Sequence, residues 1–228
     1  MGRDRDLTSL GRALGAPARS VMVNLLLDGA RRPAGELAAA AGVRPSTASE
    51  HLAVLVETGL VTAEAHGRHR YYALAGPEVA SALEALGAIA SPLPVAGLRR
   101  SRQAEHLAAA RLCYDHLAGR LGVALTDAWV QAGWLVGPDQ LALAPSGADG
   151  LRGLGVDVDG AARARRPTTR ACLDWTERRP HLAGALGAAV GARFLAAGWV
   201  VRHRSGRGLD VTAHGSRLLE QRWGIGRT

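Results

Sequence analysis

A block of 21 residues occurs twice in this 228-residue chain, and that duplication limits what the chain can fold into more than any other feature. "HLAGRLGVALTDAWVQAGWLV" runs from His116 to Val136, and "HLAGALGAAVGARFLAAGWVV" from His181 to Val201. They align without a gap and agree at 11 of 21 positions, whereas so Ala/Gly/Leu-rich a composition would give roughly three by chance. Each copy reads as a long helix ending in Ala-Gly-Trp, then a hairpin, then a Gly-marked helix. "LALAPSGADGLRGLGV" in the first copy answers "LDVTAHGSRLLEQRWGI" in the second. The spacing between matching positions grows from 65 to 68 across the hairpin, so the second hairpin is three residues longer, in or near "RHRSGRG". Two such units, at about 108–156 and 172–225, are expected to pack about an approximate two-fold axis.

Ahead of the duplication, the periodicity is helical. Leu7, Leu10 and Leu14 form one stripe that Pro17 ends, and "ARSVMVNLLLDG" forms a second helix closed by Gly29. "RRPAGELAAAAGV" is a third, with Pro33 at its start and Gly42 at its end. "RPSTASEHLAVLVETGL" is a fourth, with Leu52, Leu55 and Val56 facing inward and a Thr47-x-x-Glu50 pattern that fits a capping box. Two helices joined by a short Gly-containing turn make a helix-turn-helix. The period then changes to two. "LVTAEAHGRHRYYAL" alternates Val61, Ala63 and Ala65 before a turn at His66-Gly67, which is a β-hairpin with a basic tip. "GPEVASALEALGAIA" follows as a helix with an apolar face of Val79, Leu83 and Leu86, and "SPLPVAG" reads as a linker. The fold class is therefore mainly α with short β-hairpins. A winged helix-turn-helix domain spans 1–90, a linker 91–100, and a C-terminal domain of two repeated partial winged-helix units 101–228.

Every basic residue is Arg, and the net charge is +8. Residues 1–100 hold 11 Arg against 9 acids, and residues 101–228 hold 17 against 11. Surplus guanidinium suits a polyanion, although only the placement of the charges separates that from a genome-wide drift toward Arg. The longest uncharged stretch in the second copy, Leu182 to Ala192, is 11 residues, too short to cross a bilayer. The amino terminus has no apolar signal core, and two cysteines build no disulfide framework, so a cytoplasmic location and no membrane partner are expected.

"ALGAPARSVMVNLL", "AGELAAAAGVRPSTASEHLAVLVETGLV" and the hairpin "EAHGRHRYYAL" resemble the ArsR family of winged helix-turn-helix transcriptional regulators over residues 8–90. Longer members carry a second half with stretches similar to "YDHLAG" (114–119) and "CLDWTERRPHLAGALG" (172–187). The resemblance implies a homodimer joined through the first and last helices of this domain, reading a near-palindromic double-stranded operator as a repressor. Ser46, Thr47, Ser49 and His51 stand where a recognition helix meets base edges, and Arg68 and Arg70 where a wing meets the minor groove or phosphates. Arg31, Arg32 and Arg44 near the turn are expected phosphate contacts.

Metal-sensing members of the family keep cysteines in the helix before the recognition helix, or His and Asp on the last one. Here those positions read "ELAAAA" and "EVASALEALGAIA", which offer almost no ligands. The duplicated half offers others. Cys113 and His116 are expected one above the other on a helix face, and Cys172 precedes Asp174, Trp175, Glu177 and His181. Cys113, His116, Cys172 and His181 would make an S₂N₂ set suited to zinc or a similar ion. The spacings C-x₂-H and C-x₈-H form no known zinc signature, and the position matching Cys113 in the gapless alignment is Arg178. Buried structural cysteines and a thiol switch are the competing readings. Trp134 and Trp199, matched between copies, either fill the core or line a pocket for a small organic effector with Trp175, Asp174 and Glu177. A small cytosolic enzyme using a Cys/His pair is the alternative from another class. No nucleophile elbow, phosphate loop or metalloprotease helix supports it, so the chain is expected not to be an enzyme.

Overall fold

The computed structural model describes residues 5–67, 69–91, 98–137, 140–203 and 206–226. Contacts divide the chain into two compact units between Ala80 and Ser81. The first begins with α1 (Leu7–Leu14), capped by the Asp6 carboxylate accepting from the Thr8 amide at 2.9 Å. Pro17 starts α2 (Pro17–Leu26). A two-residue strand β1 (Arg32–Pro33) leads into α3 (Ala34–Ala41), whose end turns on Gly42 in the left-handed conformation. Three residues later α4 (Pro45–Glu57) begins, followed by the hairpin β2 (Val61–His66) and β3 (His69–Leu74). The expected hairpin is in fact a three-stranded antiparallel sheet in the order β1-β3-β2, because Arg32 and Pro33 pair with Tyr72 and Tyr71. Met22, Leu26, Leu37, Leu52 and Leu55 are fully buried, each contributing about 1.5–3 kcal/mol. This core fixes α4 by its inward face and leaves its first turn exposed. The capping box does not form. α4 starts three residues earlier than that pattern requires, with Arg44 at the N-cap and Thr47 already inside the helix.

The division between units falls inside α5 (Pro77–Ile89). Its buried positions are Ala80 and Glu84, and Leu86 of the expected apolar face is exposed. The physical reason is an ion pair, since Glu84 is 4% exposed and bound to Arg207, whose side chain is 10% exposed. The helix turns that carboxylate inward instead of Leu86. Residues 92–97, most of the expected linker, lie outside the described residues, and α6 (Leu98–Ala109) starts within its span.

The second unit carries the duplication. The first copy is β4 (Arg111–Cys113), β5 (His116–Ala118), α7 (Gly119–Gln131), β6 (Leu135–Val136), β7 (Ala142–Leu143) and α8 (Pro145–Gly153). A short α9 (Val158–Ala162) intervenes. The second copy is β8 (Arg170–Leu173), β9 (Pro180–Ala183), α10 (Gly184–Ala196), β10 (Val200–Arg202), β11 (Leu209–Val211) and α11 (Ala213–Trp223). Each strand pair is an antiparallel hairpin. Leu135 pairs with Leu143 and Val200 with Val211, reproducing the growth in spacing read from the sequence. A hairpin thus precedes each long helix, which the periodicity did not reveal.

The two copies are packed crosswise. α7 lies on β9, and α10 lies on β5. Glycines at matching positions permit this approach: a Cβ on Gly122 would sit 3.7 Å from His181 Cβ, and one on Gly187 would sit 3.2 Å from His116 Cβ. Trp129 and Phe194, also at matching positions, fill the centre with Leu121, Leu125, Leu186 and Val190. The gap left beside Trp129 between α7 and α10 is about 10 Å³, the size of one water. Among the described residues, no helix is long and apolar enough to cross a membrane.

Candidate functional site

In the first unit, the expected DNA-facing residues separate into two groups. Arg44, Ser46 and Ser49 are exposed at the first turns of α4, and Thr47 is half-buried beside them. Ser49 Oγ donates to the Pro45 carbonyl at 3.0 Å, which leaves the hydroxyl's lone pairs facing outward. Arg44 and Arg70 are exposed and have no ion-pair partner among the described residues. The other residues are already engaged. Arg32 is held by Asp28 and Glu36 and is 14% exposed, and Arg31 pairs with Glu64 of β2. His51 Nδ1 lies 3.2 Å from Arg19 Nη1, while Arg19 Nη2 donates to the Arg12 carbonyl at 2.6 Å. His51 therefore accepts from Arg19 and presents Nε2–H outward. Arg68, expected on the wing, lies outside the described residues.

In the second unit, the four expected metal ligands come together. Cys113, His116, Cys172 and His181 each place a donor atom within 4.8 Å of all the others. They do so from hairpins, not from a helix face. Cys113 is the cross-strand partner of His116 in β4–β5, and Cys172 is that of His181 in β8–β9. The helical reading of Cys113 and His116 is corrected accordingly: Tyr114, at φ 63°, starts a two-residue turn between them. The arrangement also restores a counterpart for Cys113. "RLCYD" and "RACLD" are the same element, and "WTERRP" is a six-residue insertion before the second "HLAG". Cys113 matches Cys172, 59 residues on, while His116 matches His181, 65 residues on. Gapless alignment hid this match, although the repeated R-x-C-x-D was visible in the sequence.

The cluster is largely shielded from solvent. His116 is 7% exposed, His181 1% and Cys113 2%, and Cys172 is half-buried. The sulfurs are 3.8 Å apart, and the imidazoles stack with centroids 5.1 Å apart. His116 Nδ1 lies 3.3 Å from Asp115 of its own hairpin, whereas His181 Nδ1 faces Asp174 at 3.7 Å and, being buried, has no hydrogen-bond partner. The Nε2 atom of both rings is buried without a hydrogen-bond partner. The Cys113 thiol donates to Cys172 and, against the cost of burial, pulls the Cys172 thiol far below its usual range, with His116 and His181 adding to the effect. Cys113 is pushed the other way, because it is the donor to Cys172 and is itself buried. Burial would lower His116, but Asp115 and the Cys172 sulfur outweigh it and raise its pKa.

Arg111 was not legible as a functional residue. It is fully buried with Asp174, Nη2 to Oδ2 at 2.8 Å, and lies 4.7 Å over the Trp175 ring. Asp174 also accepts from the Gly119 amide at 2.7 Å and the Thr176 hydroxyl at 2.6 Å. Burial alone would raise its pKa, but these partners hold the carboxyl well below the usual range. Glu177 is half-buried beside this turn, its amide donating to Asp174 at 3.1 Å. The remaining residues of the expected effector pocket lie elsewhere. Trp134 stacks with Trp129 and meets Trp223 edge-on, and Trp199 meets Phe194 edge-on at 5.0 Å beneath Arg193.

Residues 16–63 match the family model described as "Bacterial regulatory protein, arsR family". The chain is 40% identical over 217 residues to the HTH-type transcriptional regulator YdfF of Bacillus subtilis, spanning 95% of this chain and 96% of that protein. It is 46% identical over 81 residues to the HTH-type transcriptional regulator CmtR of Mycobacterium tuberculosis, 36% of this chain and 68% of that one. Among solved structures, HlyU of Vibrio cholerae is 30% identical, covering 35% of this chain and 86% of that one at a TM-score of 0.33. The match over nearly the whole of YdfF, joined to the family model on the helix-turn-helix, places this chain in the ArsR family of winged helix-turn-helix transcriptional regulators, DNA-binding dimers with no catalytic role, here with an additional C-terminal half.

Proposed function

We propose that the chain is a dimeric repressor whose operator binding responds to a divalent metal ion held by Cys113, His116, Cys172 and His181. The observation that carries this reading is a buried S₂N₂ set in which both Nε2 atoms lack a partner. Unsatisfied buried imidazole nitrogens are costly, and a cation relieves both at once. The spacing fits as well. Tetrahedral zinc–sulfur bonds of about 2.3 Å put two sulfurs about 3.8 Å apart, and the observed separation is 3.8 Å. Asp115 and Asp174 would act as the carboxylates that orient metal-bound imidazoles from behind.

On the DNA side, Arg44, Ser46, Thr47, Ser49 and Arg70 form the surface offered to a duplex, with His51 reaching it through Nε2. Arg32 acts as a structural tie, and Arg31 reaches phosphate by leaving Glu64. Leu7 on α1 and Leu86 and Ile89 on α5 are exposed large apolar side chains on the two helices assigned to dimerisation. The test is a cobalt titration of reduced, metal-free full-length protein, followed by operator binding to a duplex selected from a random pool. One cobalt per chain with sulfur-to-cobalt charge transfer, abolished by Cys113→Ser with Cys172→Ser, together with an operator affinity that changes on metal addition, is expected. Absence of the charge-transfer band would overturn the metal reading.

A thiol switch is the second reading, favoured by the 3.8 Å sulfur separation and the thiolate character of Cys172. A peroxide would convert Cys172 to a sulfenic acid with loss of water. Cys113 would then condense with it, releasing a second water and leaving a disulfide.

A further inference from the structure

We infer that the chain carries a second metal site, distinct from the cysteine–histidine cage, formed by His106, His203 and Asp210. His106 lies in the last turn of α6, His203 directly follows β10, and Asp210 is the middle residue of β11. The backbone holds these three in place. The His203 amide donates to the Gly208 carbonyl at 2.9 Å, extending the hairpin ladder. The Leu209 amide donates to the Ala110 carbonyl at 2.9 Å, and the Leu112 amide to the Arg207 carbonyl at 3.0 Å, which tie the hairpin to the segment leaving α6.

The three donors lie within 4.8 Å of one another. One carboxylate spans both rings, with Asp210 Oδ2 3.0 Å from His203 Nδ1 and Oδ1 3.5 Å from His106 Nε2. The ring centroids are 4.3 Å apart. A hydrogen-bonded His–Asp pair explains one imidazole but not the second. His106 Nε2 is buried and makes no hydrogen bond, although it faces a carboxylate. The packing beneath it is specific. A Cβ on Gly208 would sit 2.5 Å from His106 Cδ2 and 2.7 Å from Nε2, so a larger residue there would displace this ring from its place. A cavity of about 210 Å³ opens beside it, lined by His106, Asp210 and Ser216, with space for several waters.

The two imidazole–carboxylate spacings, 3.0 and 3.5 Å to the two oxygens of Asp210, are close to those between neighbouring donors of a coordination sphere. With metal–donor bonds of about 2.1 Å, neighbouring donors lie about 3.0 Å apart in an octahedron and about 3.4 Å in a tetrahedron. Two imidazoles and one carboxylate without a thiolate select a borderline first-row divalent ion such as Ni²⁺, Co²⁺ or Zn²⁺, with waters at the open positions. The side chains of His203 and Asp210 are 41% and 48% exposed, so this ion would exchange with solvent, unlike one enclosed in the buried cage.

The test uses tag-free full-length protein and Ni²⁺. Cys113→Ser with Cys172→Ser is expected to bind one equivalent without sulfur-to-nickel charge transfer, and adding His203→Ala or Asp210→Asn is expected to weaken binding at least tenfold. Since serine at the cage can disturb folding, the unsubstituted chain is titrated as well, where His203→Ala is expected to lower the stoichiometry by one ion. Equal nickel binding with and without His203→Ala and Asp210→Asn would overturn the site. Absence of thiolate bands in the unsubstituted chain, with this equivalent retained, would instead count against the cage alone.

Discussion

Replacing Asp174 with asparagine removes the charge that neutralises Arg111, and its cost follows from what surrounds the pair. Both side chains are 0% exposed, and Asp174 accepts from the Arg111 guanidinium, the amides of Gly119, Thr176 and Glu177, and the Thr176 hydroxyl. An amide keeps the shape but offers one acceptor oxygen in place of two and leaves a guanidinium buried without a counter-charge. Breaking such a pair costs about 3–5 kcal/mol. At the lower figure, the melting temperature falls by roughly 6–12 °C for a unit of this size. Thermal unfolding of the full chain, followed by circular dichroism, measures it. The pH dependence gives an independent sign. The folded-state carboxyl is depressed, so its stabilisation is complete above the unfolded-state value of about 3.9 and is lost progressively as pH falls from there through the lower folded-state value. The gap between wild type and Asp174→Asn is therefore expected to stay constant from pH 8 to about pH 5. A loss below about 1 kcal/mol, or curves that converge by pH 6, would refute the assignment of Asp174 as a paired buried anion.

Other outcomes are expected from the same geometry. Gly187→Ala pushes a methyl toward His116 and the Leu182 carbonyl, and is expected to destabilise the second unit by about 1–3 kcal/mol, measured by urea unfolding. Arg44→Ala and Arg70→Ala are each expected to reduce the salt dependence of operator binding by about one phosphate contact, whereas Arg32→Ala, which breaks the ties to Asp28 and Glu36, is expected to lower stability first. Peroxide treatment of metal-free protein is expected to remove about 2 Da as Cys113 and Cys172 join, and a bound ion is expected to slow that reaction, both read by intact mass.

The first unit was largely legible because its signals are local. Pro17 and Pro45 start helices, Gly42 ends one, and the change to period two at Val61 marks the wing. What it did not show there was which side chains pair. Arg31 and Arg32, expected phosphate contacts, rest against carboxylates, Arg31 on Glu64 of β2 and Arg32 on Asp28 and Glu36, four residues to either side. Leu86 looked buried until Arg207, far along the chain, drew Glu84 inward. In the second unit, the long helices and the late hairpins were visible as periodicity. The hairpins ahead of each helix were not, since three residues per strand carry too little alternation to register. The four residues of the cysteine–histidine cluster were named from residue type alone. Their pairing across two turns of unequal length required the six-residue insertion to be recognised first.

The crosswise packing of the duplicated half has a consequence for how such a cage can change. If the same four ligands were supplied by two identical chains, every alteration would appear on both sides at once. Carried in tandem on one polypeptide, the two sides are free to diverge, and they have done so. Arg111 is sealed inside while its counterpart Arg170 is exposed and binds Ser81, and only one hairpin has grown a longer turn. Unequal surroundings for the two hairpins at the centre of an otherwise mirrored architecture are open to a fused pair and closed to one built from identical chains.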